Sequence, residues 1–239
     1  MKETILNGYR RHDLEFEGMP AIVVFANDPE PGNKWLFKTE YFSAFQGFET
    51  DMLARGYHLA HVANATRWAF KEDVDRQARF AAFLAEEYGF APKCLSVGMS
   101  CGGLEAIMLA AAHPETTAAM ALDAPVIDLL SCPFHVGREA DDGIAQEYTR
   151  VTGRTLKDML AYRDHPLDHL REILHIPVYL SCGTDDRTVP YEENGKLLAD
   201  FFKRNNGDVT VELFPGRDHH PHFTDGHNEK IIQWAMEKY

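Results

Sequence analysis

The chain has 239 residues, 45% of them hydrophobic and 26% charged, with 24 Lys+Arg against 37 Asp+Glu and a net charge of −13. That is enough apolar material for one sizeable core, and α/β enzymes of this length commonly form a single domain, here 1–239. The acidic balance repels phosphate backbones and anionic headgroups, which argues against nucleic acid or a membrane surface as partner. No run approaches the roughly eighteen apolar residues of a membrane span, and the N-terminus lacks the apolar core of a secretory signal, so a cytoplasmic location is expected. Cys94, Cys101, Cys132 and Cys182 have no CxxC spacing, which disfavours zinc ribbons and redox pairs and fits free thiols.

Taken in chain order, residues 13–17 alternate like an exposed strand, and 21–26, AIVVFA, read as a buried one. The prolines and glycine of 28–32 mark a loop. The spacing of Phe42, Phe45, Phe48, Met52 and Leu53 predicts a helix over 41–55, closed by Gly56. A strand over 57–63 precedes an amphipathic helix over 73–88, with Gly89 as its stop. Then come a strand (94–99), an Ala-rich helix (101–112) and a strand (118–122). After a long stretch, 127–175, with short helical patterns, the order resumes as strand (178–182), helix (191–205), strand (209–214) and helix (228–238). Strands alternating with helices imply a mainly parallel sheet with helices on both faces. The stretch 127–175 interrupts that alternation and reads as a small helical lid inserted over the sheet.

Three segments at strand ends carry chemistry. Gly98-Met99-Ser100-Cys101-Gly102-Gly103 fits G-x-S-x-G between a strand and a helix, the context in which a serine nucleophile is held on a sharp turn. The following helix aims its N-terminus at the site, and the Cys101 N–H is the natural first oxyanion donor. The bland alternative is a glycine-rich turn with a capping serine. After the strand at 178–182 comes Gly183-Thr184-Asp185-Asp186-Arg187-Thr188-Val189-Pro190. After the last strand comes Pro215-Gly216-Arg217-Asp218-His219-His220-Pro221-His222. A metal could bind such a histidine cluster, but no matching carboxylate or cysteine array stands beside it, so neither metal nor cofactor is expected. His12, His58, His61, His113, His135, His165, His169, His175 and His227 are scattered and read as surface or core residues.

These three segments, in the order Ser, Asp, His, resemble the α/β-hydrolase superfamily over nearly the whole chain. Many members carry G-x-x-D-x-x-V-P after the strand that bears the catalytic acid, and G-x-G-H before the last helix. The resemblance implies Ser100 as nucleophile, Asp186 as orienting acid and His219 as general base. Asp185 and Asp123 stay open as the acid, His220 as the base, and His222 is expected to line the pocket or be solvated. Asp218 replaces the family's glycine. The second oxyanion donor is expected in the loop after AIVVFA, at Asn27 or Asp28, although the HGGG-type run is absent there.

Substrate contacts are expected from Trp35, Phe37, Met99, Phe134 and His220. The loop PEPGNKW, the PYEEN segment and HHPH also resemble a group of small bacterial hydrolases. That resemblance implies a carboxylesterase acting on small, short-acyl esters through an acyl-serine. A carbohydrate acetyl esterase, a serine peptidase related to the prolyl oligopeptidases, and a non-catalytic ligand-binding protein of this fold are the alternatives. Association with a second copy of the chain stays open.

Overall fold

The computed structural model describes residues 1–139, 143–223 and 228–239. An antiparallel meander opens the chain: β1 (Lys2–Leu6), β2 (Tyr9–Phe16) and β3 (Met19–Val24). Then follow β4 (Trp35–Lys38), α1 (Gly47–Leu53), β5 (His58–Val62), α2 (Lys71–Tyr88), β6 (Cys94–Met99), α3 (Cys101–Ala112) and β7 (Thr117–Asp123). The remainder is α4 (Ile144–Thr152), α5 (Leu156–Met159), β8 (Val178–Gly183), α6 (Gly195–Arg204), β9 (Val209–Phe214) and α7 (Glu229–Lys238).

The nine strands form one sheet in the order β1-β2-β3-β5-β4-β6-β7-β8-β9. From β5 onward every pairing is parallel, so the carboxyl ends of β4 and β6 to β9 meet along one rim. This is the mainly parallel sheet expected from the alternation of elements, and it agrees with the α/β-hydrolase fold that the motif resemblance implies. Side chains alternate across the sheet with period two. On β4, Leu36 packs with α1 and α7 through Phe48, Met52, Ile231 and Ile232, whereas Trp35 and Phe37 face α2 through Val74, Phe80 and Leu84. On that same face α3 and α6 close the core with Ile107, Ala110, Leu198 and Phe202. The stretch 127–175 carries α4, α5 and a short 3-10 turn at Pro166–His169. Its Leu129, Tyr148 and Met159 pack on Trp68, Cys101 and Leu104.

Two elements differ from the sequence reading, with consequences for the site. The segment 35–38, to which the sequence pattern assigned no element, is β4, the strand between β5 and β6. Four residues buried on both faces show no alternation, and the proline-glycine loop before them hides the strand. The helix expected over 41–55 forms only as Gly47–Leu53, leaving 39–46 as a loop on the rim. A buried ion pair holds that loop: Lys38 Nζ stands 2.7 Å from Glu49 Oε1 and donates to the Ala44 carbonyl at 2.6 Å. Both side chains are almost wholly enclosed. Removing one partner of such a pair strands a charge in the core. Glu49→Ala should therefore lower unfolding free energy by about 3–5 kcal/mol, as read by denaturant titration, and Lys38→Met/Glu49→Leu should recover most of it.

Candidate active site

Ser100 sits between the end of β6 and the first residue of α3, with φ 52° and ψ −119°. A serine adopts this left-handed backbone only when its surroundings impose it. They do so here: Ser100 N–H donates to the Asp123 carbonyl at 2.9 Å, and its own carbonyl accepts from Gly103 N–H at 3.0 Å and Val126 N–H at 3.1 Å. The chain doubles back so tightly that a Cβ on Gly98 would lie 2.4 Å from the Gly102 carbonyl oxygen. That contact is the physical reason for the small residue two positions before the serine. As the first residue of α3, Cys101 presents a backbone N–H that no helical carbonyl can reach.

The loops after β8 and β9 bring the other two groups to the hydroxyl. His219 Nε2 lies 2.9 Å from Ser100 Oγ, and His219 Nδ1 lies 2.8 Å from Asp186 Oδ2. Asp186 Oδ1 accepts the backbone N–H groups of Thr188 at 2.9 Å and Val189 at 2.8 Å. Burial pushes the Asp186 carboxyl up, but the His219 hydrogen bond and charge, with those two N–H donors, outweigh it and hold the group below its ordinary range. It is therefore a carboxylate across the neutral range, and it selects the His219 tautomer protonated on Nδ1 with Nε2 free to accept from the serine.

The two alternative acids are elsewhere. Asp185 is exposed and accepts from the Thr184 hydroxyl within its own turn. Asp123 is fully buried and paired with His222. His222 is accordingly neither solvated nor lining the pocket, because the end of β7 supplies a carboxylate directly beneath it.

The cleft over Ser100 measures about 290 Å³ and is lined by Tyr41, Ala44, Arg67, Met99, Ile144, Thr188, His219 and His220. Met99 and His220 line this cleft. Trp35 and Phe37 do not: as residues of β4 they are fully enclosed under α2. Phe134 packs edge-on against Tyr148, 5.4 Å between centroids, inside the insertion and not among the residues lining this cleft. Asn27 is also displaced. It follows β3, which β5 and β4 separate from β6, and its amide reaches the Gly8 carbonyl at 3.4 Å.

The loop that touches the nucleophile turn is instead 39–46, where the Thr39 hydroxyl donates to the Gly102 carbonyl at 2.7 Å. Tyr41 in that loop, with φ 53°, borders the cleft. Arg67, on the loop after β5, holds the insertion: its guanidinium pairs with Glu147 of α4, Nε to Oε1 at 3.0 Å, through a second bond from Nη2, and it stacks over Trp68. Sequence spacing assigned Tyr41 to a helix and left Arg67 unremarked. The phenylalanines around the first mimic helical periodicity, and the second has no motif. His227 lies outside the described residues, as do 140–142 of the insertion. Among the described residues no group of three or more His, Cys, Asp or Glu could hold a metal ion.

Residues 57–238 match the model of the prolyl oligopeptidase family, Peptidase_S9. The chain belongs to the prolyl oligopeptidase family. Its fold is the α/β-hydrolase fold. Its structure is similar to that of a puromycin-hydrolyzing peptidase of Mycobacterium tuberculosis, with TM-score 0.70, 18% identity and 89% of this chain covered. It is similar to the acylaminoacyl peptidase of Pyrococcus horikoshii, with TM-score 0.68, 12% identity and 96% covered. The chain spans only 36% and 40% of those two proteins. Est1E from Butyrivibrio proteoclasticus is similar at TM-score 0.68 and 16% identity, over 95% of this chain and 98% of that one. At such identities the likeness establishes the fold. No curated protein sequence matches the chain.

Cys101, next to the serine, is enclosed, and burial pushes its thiol up to about 11. Below that pH it is a neutral thiol, and the thiolate is the reactive form. Native protein at mildly alkaline pH should therefore leave Cys101 unmodified by iodoacetamide, as mapped by peptide mass spectrometry, with labelling appearing only on unfolding. Cys101→Ala, which keeps the backbone N–H, should retain the larger part of the hydrolytic rate.

Proposed function

We propose that this family member hydrolyses carboxylic esters of short acyl chains, with Ser100 as nucleophile, His219 as general base and acid, and Asp186 as the orienting carboxylate. The cleft carries the reading. At about 290 Å³ it lies at the small end of ligand sites, and Ala44, Met99 and Ile144 give it apolar walls. Among the described lining residues the one Lys or Arg, Arg67, already has Glu147 as partner. Among the described lining residues no carboxylate is present to take a peptide's terminal ammonium.

The chemistry follows from the hydrogen-bond chain. As Ser100 Oγ attacks the carbonyl carbon, its proton passes over 2.9 Å to His219 Nε2. The imidazolium is stabilised by Asp186, which keeps its own charge. The oxyanion is met by the Cys101 N–H at the start of α3 and by a second N–H from the loop after β4, which we assign to Tyr41 rather than Asn27. His219 returns the proton to the leaving alcohol, an acyl-serine remains, and water releases it by the same path. The stretch 127–175 acts as a lid whose Ile144 closes one side of the cleft.

Membership of the prolyl oligopeptidase family and the likeness to an acylaminoacyl peptidase favour amide cleavage as a second reading. A nitrophenyl ester series from acetate to palmitate, beside aminoacyl nitroanilides and acetylated xylan, tests both. Turnover should peak at the short esters and fall roughly 10⁶-fold in Ser100→Ala. Faster turnover of the nitroanilides would replace the esterase reading with the peptidase one, and preference for the acetylated glycan would assign a sugar esterase.

A further inference from the structure

Beside the chain Ser100–His219–Asp186 lies a second aspartate–histidine pair, Asp123 and His222, which that chemistry does not use. Both side chains are wholly enclosed. Asp123 is the last residue of β7, and its two ends point to different parts of the site. Its backbone carbonyl accepts the Ser100 N–H at 2.9 Å. Its carboxylate accepts twice from His222, from the backbone N–H at 2.8 Å and from ring Nδ1. The far nitrogen of the same ring, Nε2, lies 3.0 Å from the carbonyl of Asp218, the residue before His219.

We infer that Asp123 and His222 form a strut that fixes the His219 loop against the Ser100 turn, and that both are positioning residues for the Ser100–His219 contact. One covalent residue, Asp123, and one imidazole ring span the whole gap from the nucleophile's N–H to the carbonyl preceding the base. Both ring nitrogens face oxygens, so a ring carrying a proton on each is pinned on two sides, and it is stacked on Phe214 with 5.3 Å between centroids.

On its other side the loop rests on the acid turn. Asp185 N–H donates to the Arg217 carbonyl at 2.9 Å, and a Cβ on Gly183 would lie 2.4 Å from the Asp218 carbonyl oxygen. The Asp218 carbonyl is thus clamped between Gly183 and His222. A loop carrying Asp218 in place of glycine gains its definition from these contacts. The inference rests on Ser100 being the reacting group and holds for ester and amide substrates alike.

The test is phosphonylation of Ser100 by a fluorophosphonate, resolved into the limiting rate and the half-saturating concentration, with folding followed by circular dichroism. His222→Phe preserves the stack on Phe214 but removes the strut, and Asp123→Asn/His222→Phe does so without leaving a buried carboxylate unpaired. Both should lose roughly 10²-fold in limiting rate, the cost of about 1 Å of misplacement, with half-saturation unchanged. Asp123→Asn alone should lose less than about tenfold, because its amide can donate to Nδ1 while Nε2–H still reaches the Asp218 carbonyl.

Wild-type limiting rates in a folded His222→Phe or in the double variant would overturn the strut. So would a loss confined to melting temperature, or a loss in Asp123→Asn equal to that in His222→Phe. Failure of the wild type itself to label would instead overturn Ser100 as the reacting group, and the strut with it.

Discussion

The site depends on one backbone conformation, the left-handed turn at Ser100. Holding a serine in such a region costs of order 1–3 kcal/mol, and the cost is met by contacts on every side of the turn. Asp123 and Val126 bond its backbone from the β7 end, Gly98 allows the chain to double back, and Thr39 ties the β4 loop to Gly102. β6 lies between β4 and β7 in the parallel sheet, so its end cannot move without breaking two ladders. The hydroxyl is therefore presented at a fixed point on the rim, and the loops after β8 and β9 need only close on it.

Behind the turn a polar network joins elements that also share the apolar core. Glu105 on α3 is completely enclosed, and burial, with the nearby charges of Glu40 and Asp73, pushes its carboxyl well above the ordinary range. It accepts from Ala69 N–H at 2.8 Å and from the Gln77 amide at 3.0 Å. That amide also donates to Asn64, whose own amide bonds the Thr39 carbonyl and Glu40. α2, α3 and the loop bearing Tyr41 are thus linked through one buried hydrogen-bonded chain. Hydrogen-bonded networks of this kind favour a single arrangement, because each group left unpaired, as Gln77 Oε1 is here, is expensive.

The cleft takes its shape from parts outside this frame. The same architecture serves the peptidases and Est1E, which the chain resembles in fold, so the strand rim says little of the substrate. What shapes the cleft is the loop 39–46 and the insertion between β7 and β8, tied to the sheet by the Arg67–Glu147 pair and the Trp68–Tyr148 contact. A separate cleft of about 320 Å³, lined among others by Trp68, Tyr148, Arg154 and Tyr162, opens beyond that contact and does not include Ser100.

The sequence by itself determined the alternation of strands and helices, and with it the α/β sheet. It also singled out Ser100, Asp186 and His219, because each sits in a local motif whose small or turn-forming neighbours are dictated by the bend that carries it. Gly98 and Gly103 around the serine, and Val189-Pro190 after the acid, are signals readable within a few residues. The tertiary structure decided whatever depends on strand order. Trp35-Leu36-Phe37-Lys38 is an enclosed strand with no periodic signature, and it pairs beside β6. That placement buries Trp35 and Phe37, removes Asn27 from the site and brings Tyr41 to it. The same holds for Asp123 and His222, 99 positions apart: local spacing carries no trace of a contact made when the end of one parallel strand meets the loop after another.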